Sequence, residues 1–211
     1  MRFLRLYSPW QWAVDKNDSK HSTVQGLNRG PTLQTNGATL WFPMWFYQQW
    51  ETLFQGTPVD NWNPKMVSIV SDEGAWRDMP YTAGELHIMS DRFRRLLDQI
   101  APQAIQWLRF RIRTPFGQTL RKRYSIANYM TMRDVIDRRA SCLSRGGTWG
   151  LDKSHRYNID RLVLSERKIG DANLFRIYGQ PDVVVISEKG FEILVRAGIS
   201  GCTFAPLELT K

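Results

Sequence analysis

Charged and apolar residues alternate from Met1 to Tyr7, and Ser8-Pro9 closes the run, which predicts an opening β-strand. Residues 15–36 are polar and rich in Asn, Ser, Thr and Gly, with Gly30-Pro31 as a turn signal, and read as loop. An aromatic block follows from Trp41 to Phe54. With Pro43 in the first turn of a helix, Phe46, Trp50 and Leu53 share one face and Trp45 lies beside it. These rings either fill the core or form an aromatic patch for a partner, with Trp45 and Trp50 as the candidate contacts. Residues 56–64 read as a turn-rich linker and residues 66–70 as a short strand.

From residue 84 the patterns sharpen. Ser90 is a good helix N-cap, Phe93, Leu96, Leu97 and Ile100 follow at helical spacing, and Pro102 stops the helix. Trp107, Arg109, Arg111 and Arg113 alternate strictly with Leu108, Phe110 and Ile112, which predicts a strand with one basic and one apolar face. Thr114-Pro115-Phe116-Gly117 is a turn, and residues 120–126 read as the return strand of a hairpin. Residues 130–139 read as a short helix and residues 144–152 as a Gly-rich loop. Strands are predicted at 159–164, 174–178 and 182–186. Ser187 caps a helix with Phe191, Leu194 and Val195 on its apolar face, and Gly198 ends it in a left-handed conformation. Residues 202–207 form a closing strand. Strands and short helices without regular alternation predict an α+β fold with a mixed or antiparallel sheet. The expected organisation is an aromatic-rich region at 1–83, packed on a main domain at 84–211.

Composition narrows the classes. The chain has 211 residues and 42% apolar residues, enough for a real core, and its 23% charged residues exclude wholesale disorder. Leu40 to Tyr47, the most apolar stretch, is too short to span a bilayer. Cys142 and Cys202 are too few for a disulfide framework and lack metal-site spacing, so they read as reduced thiols. A cytoplasmic protein with no membrane partner is expected.

Catalytic patterns are scarce. His21, His87 and His155 are too far apart for a helical zinc motif, and Cys142 with His155 carries no supporting signature. There is no phosphate-binding loop, dinucleotide fingerprint or nucleophile elbow. Arg145 to Gly150 is Gly-rich but reads as a plain flexible loop. Asp134, Asp137 and Asp152 lie among arginines, where surface ion pairing accounts for them. No enzyme activity, catalytic residue, metal or cofactor is expected.

The net charge of +9 draws attention to the hairpin. Arg109, Arg111 and Arg113 project from one strand, and Arg121, Lys122 and Arg123 lie on the return segment, with Arg121 and Arg123 sharing a face by period two. One reading is a solvated outer face. The other is a docking surface for a carboxylate- or phosphate-rich partner, because the planar guanidinium binds either anion in a bidentate fashion. Nucleic acid is the alternative partner. The charge fits it, but no helix-turn-helix or RNA-binding motif accompanies the charge, and most tryptophans lie far from these arginines in sequence.

An ordered series of motifs between Gly84 and Leu209 adds a further clue. It runs through LHIMSDRFRRLL, WLRFRIRT with RKRYSIANYM, DVIDRRAS, and RLVLSERKIGDANLFRIYG with its Leu174-Phe175-Arg176. It ends in VVVISEKGFEILVRAGISGCTFAPLEL, with Gly198, Gly201 and Phe204 in a Gly-x-x-Gly-x-x-Phe pattern. This series resembles immunity-protein family eleven of bacterial polymorphic toxin systems. The resemblance implies a cytoplasmic, non-catalytic antitoxin that binds and neutralises a cognate secreted toxin. A nucleic-acid mimic seated in a nuclease site would be acidic. This chain is basic, so the expected partner presents an acidic contact face.

Overall fold

The structure, a computed structural model, describes residues 2–7, 40–41, 52–64, 68–71, 76–80, 86–113, 116, 118–145 and 157–211. Strands β1 (Phe3–Tyr7), β2 (Leu40–Trp41) and β3 (Ser68–Ser71) precede β4 (Ile88–Ser90) and helix α1 (Asp91–Ile100). β5 (Ile105–Arg109) and β6 (Arg111–Arg113) run outward, and β7 (Thr119–Leu120) and β8 (Tyr124–Tyr129) return. β9 (Met132–Arg133), β10 (Cys142–Arg145), β11 (Tyr157–Arg161) and β12 (Val163–Ser165) lead to the single turn α2 (Glu166–Ile169). β13 (Leu174–Ile177), β14 (Gln180–Ser187), α3 (Glu188–Arg196), β15 (Thr203–Pro206) and β16 (Glu208–Thr210) complete the order. The fold is α+β and mostly β, with mixed and antiparallel sheets, as the pattern predicts.

The largest sheet has five strands in the order β15-β1-β14-β13-β9. The opening strand lies inside it, antiparallel to both β14 and β15. Leu6, Val184 and Ile186 of this sheet pack with Phe93 and Leu97 of α1 and Leu194 of α3. Phe3, Phe175, Val183 and Val185 belong to a second cluster with Val135, Ile136, Leu164 and Ile169. Both faces are therefore dry, and β14 reads as an unbroken apolar run rather than an alternating one. A three-stranded sheet, β4-β8-β5, supplies Met89, Ile105 and Tyr129 to the helix side. Its Ile88, Leu108 and Ile126 face a third cluster together with Leu53, Phe110 and Ile112.

Both predicted caps are formed. The Ser90 hydroxyl accepts from the Phe93 N–H at 3.1 Å, and the Ser187 hydroxyl accepts from the Gly190 N–H at 3.2 Å. Gly198 has a positive φ of 62° beyond α3. Other expectations need correction. The segment 130–139 is not a helix. Its backbone is taken by neighbours: Met130 N–H donates to Ala104 O, Arg176 N–H to Thr131 O, and Tyr178 N–H to Arg133 O. These tertiary bonds hold β9 parallel to β13 and outweigh a weak helical pattern. Val195 is 56% exposed and does not belong to the apolar face of α3. Trp41 lies in strand β2 and residues 52–54 are helical, while residues 42–51, on which the helix from Pro43 would fall, lie outside the described residues. The loop predicted at 15–36 lies outside them too.

Candidate partner-binding surface

The outward run of the hairpin alternates as its sequence requires. Leu108, Phe110 and Ile112 are buried, whereas Arg109, Arg111 and Arg113 are exposed. Phe110 separates two ladders: β5 pairs with β8 in one sheet, and β6 pairs with β3 and β7 in another. The register slips across this break. Arg109 faces Ser125, but Ile112 faces Leu120, so the return segment carries two more residues than the outward one over that interval. Arg121, Lys122 and Arg123 take up the excess outside any strand, in the manner of a bulge with more than one extra residue. The period-two reading of Arg121 and Arg123 is therefore corrected. Both side chains are nevertheless exposed, as is Lys122.

The bulge is held close to the N-terminus of α1, where the Asp91 N–H donates to Arg123 O at 3.3 Å. A cleft of about 310 Å³ lies here, lined by Asp91, Arg109, Lys122, Arg123, Tyr124 and Ser125. The bulge thus gathers three cations around one cleft. Among the described residues, arginine ion pairs lie elsewhere, at Arg2–Glu188, Arg5–Asp182, Arg92–Asp78, Arg94–Asp98 and Arg161–Glu208, and none involves the hairpin.

Two tryptophans border this basic face. Trp62 Nε1 donates to the Arg109 carbonyl at 2.6 Å, and Lys122 Nζ lies 5.9 Å from the centre of the Trp76 ring. Trp76 packs on Tyr124 at 5.2 Å, and the Tyr124 hydroxyl donates to Arg77 O. Burial and the Asp78 charge push the Tyr124 phenol up to about 12, so it stays a donor. Neither tryptophan is a sequence candidate, since both are distant along the chain from the arginines they approach. Trp45, Trp50, His21, His155 and Asp152 lie outside the described residues.

A second polar cluster is buried. The Arg176 guanidinium lies between the rings of Phe54 and Tyr129, 4.9 and 4.8 Å from their centres, and donates to Leu53 O. Tyr129 shares a 2.8 Å hydrogen bond with His87 Nδ1. Burial, then the charges of Arg176 and Arg5, lower the His87 imidazole to about 3, so it is neutral at ordinary pH. The cluster ties residues 53–54 to β8 and β13.

The remaining reactive groups are also accounted for. Cys142 is exposed, with Sγ 3.8 Å from Asp160 Oδ2. Burial, then the Asp78 charge, push the Cys202 thiol up to about 12, which keeps it protonated and a poor nucleophile. Among the described residues Asp137 forms no ion pair. It accepts from the Thr210 hydroxyl and from the backbone N–H groups of Arg139 and Ala140, which lower its carboxyl below the ordinary range. Among the described residues, no group of three or more His, Cys, Asp or Glu is placed to hold a metal ion. No helix among them is long and apolar enough to cross a membrane.

The described residues thus form a mostly β α+β fold whose hairpin presents a basic face bordered by two tryptophans. The chain belongs to the immunity protein family Imm11, whose model matches residues 17–208. The match begins well before Gly84 and takes in the aromatic block, so the family likeness extends further than the motif series indicates. No curated protein matches the chain.

Proposed function

We propose that this chain neutralises a cognate toxin by stoichiometric binding rather than by catalysis, in the cytoplasm of the cell that makes both. Its basic hairpin docks on an acidic face of that toxin. Membership of an immunity family supplies the role. The single structural observation that carries the docking surface is the set of exposed cations at Arg109, Arg111, Arg113, Arg121, Lys122 and Arg123, with no carboxylate paired to them among the described residues. Like charges gathered on one face repel, and a partner's carboxylates would relieve that cost.

Co-expression with the product of the neighbouring gene tests this reading. The two proteins should copurify in fixed proportion, and growth halted by the toxin should resume. A chain that neither copurifies nor restores growth sinks the proposal.

A second reading, single-stranded nucleic acid along the same face, draws on Trp62 and Trp76 beside the arginines. Both rings are half-buried against the hairpin, and Lys122 already lies over Trp76, so neither forms a free stacking platform. A protein partner is the better fit.

A further inference from the structure

We infer that Phe116, in the turn joining β6 to β7, is the apolar anchor of the toxin complex and enters an apolar pocket that the toxin surrounds with carboxylates. The inference rests on the reading of the hairpin as the toxin-binding surface and adds where the complex is held.

Phe116 is 91% exposed. Among the described residues the other large exposed apolar side chains are Val195 at 56% and Tyr178 at 44%. The hairpin core does not use this ring: Phe110 is 8% exposed and packs with Leu108, Ile112 and Tyr124. Nor does the turn need it, since small and polar residues serve turn positions better. One exposed apolar residue is ordinary on a protein surface, but the placement of this one is specific. The last cross-strand pair is Arg113 with Thr119, so Phe116 lies within the short connection beyond it. Arg113, Arg111 and Arg109 follow along the strand at intervals of about 6.6 Å. An exposed aromatic ring three residues from Arg113 in sequence has the composition enriched at protein interfaces. Arginines on the approach to the turn match carboxylates around a pocket mouth, and the ring matches the pocket itself.

The roles separate kinetically. Long-range charge sets the association rate, whereas a buried anchor sets the dissociation rate. The purified toxin complex and surface-immobilised kinetics test this. Phe116→Ala should speed dissociation by at least about tenfold while association stays within about threefold. Phe116→Leu should restore most of the lifetime. The thermal midpoint of each free variant should equal that of the wild type, because the ring is 91% exposed in the free chain. Wild-type dissociation by Phe116→Ala overturns the inference while leaving the immunity reading intact. So does a free wild-type chain that dimerises through Phe116, or one that loses affinity for a single-stranded oligonucleotide and not for the toxin on Phe116→Ala. If the wild type fails to hold the toxin at all, the proposed function fails first, and this inference with it.

Discussion

The Asp78 carboxylate accepts two hydrogen bonds from Ser200, one from its N–H and one from its hydroxyl, each at 3.1 Å. The same carboxylate accepts from the Ser90 hydroxyl at 2.7 Å and from Arg92 at 2.9 Å. One side chain therefore joins the segment before β4, the N-cap of α1 and the turn after α3. Burial raises its pKa, but the Ser90 and Ser200 hydrogen bonds and the Arg92 charge outweigh it and hold the carboxyl below its ordinary 3.8. A depressed carboxylate contributes stability that is full above the unfolded value and lost as pH falls through the folded one. Asp78→Ala should cost about 1–2 kcal/mol at pH 7, with solvent screening limiting the figure. The difference from wild type should shrink below pH 4. Urea unfolding at pH 7 and pH 3 checks both; an equal difference at the two pH values would refute the assignment.

His87 produces a pH dependence in a separate window. Its folded value of about 3 lies below the ordinary 6.5, so the unfolded chain takes up a proton first. The stability from a neutral His87 is full above pH 6.5 and falls as pH drops from there towards 3. The slope is at most about 1.4 kcal/mol per pH unit for one proton. His87→Asn should lower stability at pH 7, because Tyr129 loses its buried partner, and should flatten the curve between pH 6 and pH 4. Thermal midpoints across that range measure the slope directly.

Gly198 and Gly201 both carry positive φ, of 62° and 83°, yet they should respond differently to alanine. A Cβ on Gly198 meets nothing within 4 Å, so Gly198→Ala should cost only the left-handed conformation, about 1–2 kcal/mol. A Cβ on Gly201 would stand 2.0 Å from the Met79 carbonyl oxygen, in a segment held in place by the Met79 N–H donating to Ser200 O at 3.0 Å. Gly201→Ala should therefore destabilise by more than Gly198→Ala and shift the segment 77–79. Chemical denaturation of the pair ranks them, and equal losses would contradict the close approach.

What was legible in the sequence was what short range decides. Ser90 and Ser187 announce their helices because a cap needs only its own first turn. Leu108, Phe110 and Ile112 announce a buried strand face because the period belongs to one strand. The register slip that frees Arg121 to Arg123 depends on two sheets meeting at Phe110, which no local pattern encodes. The same holds for β9, whose shape is set by Ala104 and β13. Trp62 and Trp76 reach the basic face only through tertiary packing. Arg176 reads as a polar break in an apolar motif, and only the rings of Phe54 and Tyr129, from distant segments, make its burial possible.

The basic hairpin carries the last prediction. If it steers an acidic toxin, replacing Arg109, Arg111 and Arg113 by Glu should slow association by about tenfold or more at low ionic strength. Salt screens steering between exposed charges, so the wild-type rate should fall as salt rises and the variant's should change less or in the opposite sense. These side chains are exposed and unpaired among the described residues, so the thermal midpoint of the free variant should stay close to that of the wild type. The same variants separate the two partners in filter binding to a single-stranded oligonucleotide. A nucleic-acid surface would bind at low salt with a steep logarithmic loss of affinity, shallower for each phosphate contact removed. A toxin-binding surface should show little such binding while its toxin association depends strongly on the same residues. Unchanged kinetics in both assays would return Arg109, Arg111 and Arg113 to an ordinary solvated face, because no attraction would then offset their mutual repulsion.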